Sequence, residues 1–183
     1  CKTVTDLLSG FHQCKISERM KKYFSFVTPL GTYQYTRLVM GFINATAEFQ
    51  RATNHSLGDS LWRCAVAMVD DVCIASKDAE QHLIDLREVF TKLAARGHSI
   101  KPKKMRFMQE EVEYLGRIAT EEGIKVTPRH KEAVAEMPFP LDAEGRVDVT
   151  RLRSGVGLFK FCRAHIPRCA WICAPLNELT TKE

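Results

Sequence analysis

The sequence predicts an α+β fold: a small antiparallel sheet flanked by helices, with a smaller helical part after it. Three observations carry that expectation. Residues 65–75 hold two short runs rich in Val, Ile and Ala that meet at Asp70 and Asp71, the pattern of a buried hairpin. Residues 23–27 and 32–39 flank the turn signal Thr28, Pro29, Leu30, Gly31, and so read as a second hairpin. Leu83, Leu86, Phe90 and Leu93 recur at helical spacing behind an Asp78…Gln81 capping box, with Gly97 placed to end the helix.

The remaining elements follow in order. Polar and apolar residues alternate up to Asp6 and then break at Ser9 and Gly10, which makes residues 1–6 a strand with a carboxylate at its end. Gly41 leads into a helix over residues 44–57, with Asn44 or Thr46 as its N-cap. Residues 56–63 read as the turn before the acidic hairpin. Residues 112–118 and 124–126 read as a hairpin around Glu122 and Gly123. Thr127 and Pro128 open a short helix through Met137, and Pro138, Phe139 and Pro140 close it. Helical spacing returns at Leu152, Val156 and Phe159, stops at Pro167, and resumes in a last helix after Ala174 and Pro175.

Composition narrows the class. The chain has 183 residues, 45% of them apolar, enough for one core or one core plus a small appendage. No segment is long and uncharged enough to cross a bilayer, so no membrane partner is expected. The net charge of +5 leans mildly toward polyanions. Seven scattered Cys, an odd number, argue for reduced intracellular thiols rather than a disulfide framework. The N-terminus carries no signal-peptide pattern, and the chain starts at Cys1 without Met; the expectation is a piece of a longer polyprotein.

Asp70 and Asp71 carry the chemistry. Two adjacent carboxylates inside an apolar run are costly unless a cation neutralises them, which points to a metal; an ordinary turn is the other reading of the same pair. Asp6 at a strand end has the same two readings. Arg96, Lys101, Lys103, Lys104 and Arg106 form a run without an acid, either a solvated face or a phosphate contact. Cys162, His165, Cys169 and Cys173 are a rival zinc group, although their spacing is not that of a standard finger.

Taken together, the motifs resemble the palm of a reverse transcriptase. The series Asp6, Ser9, Gly10, Phe11, His12, Gln13 is similar to that family's first catalytic motif. Thr28, Pro29, Gly31 and Tyr33 resemble its fingers hairpin. Met40, Gly41, Phe42, Asn44, Ala45, Ala47, Phe49 and Gln50 resemble its template-and-nucleotide helix, and Met68, Val69, Asp70, Asp71 its two-aspartate box. Gly97, Ile100, Pro102, Lys104 and Phe107, then Tyr114, Leu115 and Gly116, resemble the lysine-bearing and primer-gripping segments. Leu152, Arg153, Ser154, Gly157 and Leu158, with Ile166, Pro167, Pro175, Leu176 and Leu179, are similar to gypsy-type LTR retrotransposon polyproteins. Val39 stands where a Pro is usual and Met68 where an aromatic residue is usual; neither change removes a ligand.

The resemblance implies a palm with partial fingers over residues 1–120, the start of a thumb and a linker over 121–147, and a partial helical thumb or connection over 148–183. It implies RNA-directed and DNA-directed DNA synthesis, with dNTPs added to the 3′-hydroxyl of a primer–template. Asp6, Asp70 and Asp71 would be the catalytic, metal-holding acids for two Mg²⁺ ions, or Mn²⁺ in their place, with Asp71 the less directly engaged. Leu7, Phe11, Met40, Gly41 and Lys104 would meet the nucleotide. In that set Phe11 would block a ribose 2′-hydroxyl, or merely pack in the core, and Lys104 or Lys101 would face the pyrophosphate. Gln50, Arg51, Met68, Val69, Tyr114, Leu115 and Gly116 would meet primer and template. Other expected partners are the fingers and RNase H segments of the parent polyprotein. The implied location is intracellular, in the cytoplasmic virus-like particle of the parent element. This piece alone is expected to be weak or inactive. The alternative is a degenerate or domesticated palm that binds nucleic acid or a partner protein without catalysis.

Overall fold

A computed structural model describes residues 1–181. The chain divides into two compact units, Cys1–Tyr114 and Leu115–Glu183. The first is built on a four-stranded antiparallel sheet in the order β4-β5-β1-β6, with β1 Lys2–Asp6, β4 Ala65–Met68, β5 Asp71–Ala75 and β6 Arg106–Gln109. Two helices, α3 Ala45–Leu57 and α4 Ala79–Ala95, cover one face; Phe49, Leu57, Leu86, Val89 and Leu93 from them pack with Val72 and Ile74 of β5. Short helices α1 Gly10–Gln13 and α2 Glu18–Lys21 lead to an exposed hairpin, β2 Ser25–Thr28 with β3 Gly31–Gln34.

Strand alternation decides what each face carries. Thr3 pairs with Ile74 and Thr5 with Val72, on the helix side; Val4 pairs with Cys73 and Asp6 with Asp71, on the opposite side. The apolar alternation thus buries one set of side chains and presents the acids on the other face.

The buried face of α4 differs from the expected stripe. Leu86 and Leu93 are buried, but Leu83 is exposed, and His82, Asp85 and Val89 take the inner positions. A directed hydrogen-bond chain explains the rotation. The Met108 N–H donates to Thr3 Oγ1 at 3.1 Å, and Thr3 Oγ1 lies 2.7 Å from His82 Nε2. His82 Nδ1 lies 3.0 Å from Ser76 Oγ, which donates to Asp85 Oδ2 at 2.6 Å. Because Ser76 gives its only proton to Asp85, His82 Nδ1 donates to Ser76, and in the neutral imidazole that burial favours Nε2 accepts from Thr3 Oγ1. Burial holds the His82 pKa below its usual value, with the charged N-terminus acting the same way and Asp85 opposing. A depressed folded-state pKa contributes stability that is complete above the unfolded value of roughly 6.5 and is lost as pH falls toward the folded one. Thermal unfolding between pH 8 and pH 5 is therefore expected to show a falling midpoint that begins near pH 6.5, and His82→Gln should flatten that slope.

Several other boundaries move. The strand expected over 32–39 stops at Gln34, and Arg37 instead bridges Lys15. The strand expected over 112–118 is split into β7 Val112–Tyr114 and β8 Arg117–Ala119, because Leu115 and Gly116 both adopt positive φ, 52° and 73°. Asn44 stands at the N-cap of α3, but its side chain caps nothing.

In the second unit β8 pairs antiparallel with β9 Ile124–Val126. Thr127 caps α5 Pro128–Ala135 and Asp148 caps α6 Val149–Phe161. The last helix, α7 Cys169–Thr181, starts before the expected place and carries Pro175 inside it. Its buried Cys169 and Cys173 favour continuing the helix through a residue whose fixed φ is compatible with it, despite the lost N–H. No helix among the described residues is long and apolar enough to cross a membrane.

Candidate active site

The acidic cluster follows from strand register. Asp6 ends β1 directly opposite Asp71, the first residue of β5, and the Leu7 N–H donates to the Asp70 carbonyl at 2.8 Å. Met68 pairs with Asp71, so Val69 and Asp70 alone form the turn. The tight turn requires φ of +55° at Val69, a costly conformation for a β-branched residue.

Gln50 on α3 holds that turn. Its Oε1 accepts the Val69 N–H at 2.7 Å, and its Nε2 donates to the Ala67 carbonyl at 3.0 Å and to Asn54 Oδ1 at 2.8 Å. The structure thus occupies both ends of the amide that the sequence assigned to primer or template. Gln50→Leu would leave part-buried peptide groups unpaired and is expected to cost about 1–2 kcal/mol. Val69→Gly removes the backbone strain, so the cost of Gln50→Leu should shrink in that background. A denaturant double-mutant cycle reads this directly, and strict additivity would contradict the clamp.

Electrostatics separate the three acids. Lys104 Nζ lies 2.7 Å from Asp6 Oδ2, and this hydrogen bond holds the Asp6 carboxyl below its usual range. Burial, then the neighbouring Asp6, pushes Asp71 up, and the same two causes raise Asp70. Asp6 is therefore the ionised member, and Asp71 keeps its proton to higher pH. Asp70 Oδ1 is buried without a hydrogen-bond partner. Such an oxygen is expensive unless something positive meets it. The donor set is all carboxylate oxygen, which suits a hard divalent ion such as Mg²⁺. The residues therefore fit the metal, although among the described residues no three His, Cys, Asp or Glu side chains converge as they stand on one metal position. In the rival zinc group the Cys169 and Cys173 sulfurs lie 3.9 Å apart, and His165 Nε2 is engaged by the Ile124 carbonyl at 2.7 Å.

The other expected site residues are placed as follows. Leu7 is buried in the core at 3% exposure, so only its backbone can face a nucleotide. Phe11 stacks on Phe49 with centroids 5.1 Å apart and is half-buried, which combines both readings of that ring. Met40 and Met68 are exposed, and Gly41 has φ of +85° with open space where a Cβ would stand. Arg51 is exposed and pairs with Glu48 at 3.3 Å. The Tyr114 hydroxyl donates to the Asp71 carbonyl at 3.3 Å, and burial pushes its pKa up. Leu115 and Gly116 belong to the second unit.

Sequence reasoning missed two supports. Gln13 ties α1 to the segment after α4: its Oε1 accepts the Ser99 N–H at 3.0 Å, and its Nε2 donates to the Ser99 carbonyl at 3.0 Å. Gly10 packs so closely that an added Cβ would stand 2.0 Å from Asp70 Oδ1. The break at Ser9 and Gly10 was visible, but the carboxylate it would face was not.

Comparison with known proteins places this architecture. The chain has the reverse transcriptase fold. It superposes over its full length on the foamy viral protease-reverse transcriptase solved with double-stranded DNA, at a TM-score of 0.82 and 27% identity, covering 31% of that chain. The same viral protein solved with an RNA/DNA hybrid matches at a TM-score of 0.80 and 28% identity, covering 24% of that chain. Residues 1–119 match the family model described as reverse transcriptase (RNA-dependent DNA polymerase), and the chain belongs to that family. Among its relatives, the Pol polyprotein from transposon 297 of Drosophila melanogaster is 33% identical over 98% of this chain. That from transposon gypsy of the same organism is 33% identical over 99%. The chain spans 16% and 17% of the length of those two relatives.

Proposed function

We propose that this chain is the palm, with partial fingers and partial thumb, of an RNA- and DNA-directed DNA polymerase from a retrotransposon polyprotein. The observation that carries this reading is the register that sets Asp6 against Asp71, with Asp70 in the adjoining turn and one of its oxygens buried and unpartnered. Asp6 and Asp70 are the groups that would hold divalent ions, with Asp71 behind them. When held there, Mg²⁺ would supply positive charge beside the reacting primer 3′-hydroxyl and the leaving pyrophosphate.

The chain's own residues do the positioning. The Gln50 clamp fixes the turn that aims Asp70. The Phe11 ring, braced by Phe49, offers an apolar wall that accepts no hydrogen bond from a ribose 2′-hydroxyl. Gly41 leaves space for close backbone approach by a dNTP. Tyr114 braces the Asp71 backbone, and the exposed Met68 stands beside the turn on the primer side of this reading. The relatives are much longer Pol polyproteins, which supports the view that further polyprotein segments accompany this piece in its parent.

The test is extension of a labelled primer–template by a chain lengthened to include the full fingers. Incorporation that requires Mg²⁺ or Mn²⁺ and favours dNTPs over rNTPs is expected. Tight nucleic-acid binding with no incorporation at any divalent concentration would support the binding-only palm instead. The 183-residue chain by itself is expected to incorporate weakly or not at all.

A further inference from the structure

We propose that Lys104 is a cationic placeholder at the acidic cluster, a side chain that a divalent ion must displace from Asp6 before the cluster can load. The proposal rests on the reading of Asp6, Asp70 and Asp71 as metal-holding groups.

Three features of the structure lead to it. First, the ammonium sits 2.7 Å from Asp6 Oδ2, on one of the oxygens a metal would need. Second, the backbone delivers it there. The Lys101 N–H donates to the Asp6 carbonyl at 2.9 Å, and the Lys104 N–H to the Lys101 carbonyl at 3.0 Å, so the helical turn Pro102–Lys104 is fastened to the end of β1. Third, the ion pair leaves the cluster open. Asp70 Oδ1 is buried without a hydrogen-bond partner. With Lys104 in place, Asp6 is satisfied from its own side and Asp70 is not, which is the arrangement expected of acids waiting for a second cation.

The side chain is suited to leaving. Lys104 is 59% exposed on a long flexible stem, whereas Asp6 is 24% exposed and fixed by strand pairing. An exposed ion pair contributes little by itself, so a divalent ion that engages Asp6 and Asp70 together can outcompete it. The released ammonium remains tethered near the cluster, because the turn that carries it is hydrogen-bonded to the end of β1. Lys103, one residue away on the same turn, makes no ion pair with the three acids among the described residues, and so provides a control of equal charge.

The test is Mn²⁺ titration of the 183-residue chain, with free Mn²⁺ read by electron paramagnetic resonance, for the wild type, Lys104→Met and Lys103→Met. Lys104→Met is expected to bind Mn²⁺ about tenfold tighter, a gain of about 1.4 kcal/mol, and Lys103→Met within about twofold of wild type. Equal tightening in both variants reduces the effect to a general electrostatic field and overturns the proposal, as does no tightening in Lys104→Met. Should Lys104→Met fail to fold, the wild type still decides the matter by NMR. Its Lys104 ε-methylene resonance should move saturably with Mg²⁺ while that of Lys103 stays, and a static Lys104 resonance overturns the proposal. An Asp6→Asn chain separates the two levels: unchanged Mn²⁺ affinity there means that the acids hold no ion, and the functional reading fails before the placeholder is reached.

Discussion

Asp70→Asn is expected to lower nucleotide incorporation by the fingers-complete chain on the order of 10³-fold, while raising the melting temperature of the metal-free protein. The two effects share one cause. Asp70 lies in a two-residue turn with Oδ1 buried and unpartnered, and burial followed by the charge of Asp6 raises its pKa. A carboxyl whose folded-state pKa is raised destabilises the fold once the pH exceeds its unfolded value, and the penalty persists at neutral pH. Asn keeps the shape and removes the charge, so the fold gains while the ion loses a ligand. Such opposition between stability and activity is the signature of a group kept for chemistry. Thermal melts without divalent ions and primer extension with them measure the two halves. A lower melting temperature, or retained incorporation, would contradict the assignment.

Gly10→Ala is expected to destabilise the first unit by about 3 kcal/mol and to abolish extension, through sterics alone. The new Cβ would stand 2.0 Å from Asp70 Oδ1 and 2.4 Å from Phe49 Cζ. Phe49 is fully buried in the core and carries the Phe11 ring against it, so neither neighbour can retreat without cost. Asp70→Ala in the same chain clears the nearer clash and should recover part of the stability but none of the activity. Denaturant unfolding of the two chains reads this. Native stability in Gly10→Ala would show that Gly10 and Asp70 are not in fact so close.

What was legible in the chain was local. Apolar alternation around Asp70 and Asp71 located the hairpin, because a strand's period of two survives in sequence. Asp78 and Gln81 announced the start of α4, and the Asp78 side chain does accept the Gln81 N–H at 2.8 Å. What was not legible depends on partners distant in sequence. Leu83 looked like core, yet His82 and Asp85 turn inward because Thr3 and Ser76 await them. Gln50 looked like a reader of template, and its clamp on Val69 is invisible until α3 is laid against β4. The acids could be put on one sheet edge by resemblance, but Lys104's grip on Asp6 is a matter of side-chain geometry that no spacing records.

The central claim is that Asp6 and Asp70 together hold a divalent ion. Anomalous diffraction from Mn²⁺-soaked crystals of this chain tests it most directly. The account expects a peak bonded to a carboxylate oxygen of each, with Lys104 swung away from Asp6. A peak elsewhere, or none at saturating Mn²⁺ with Lys104 still on Asp6, would contradict it.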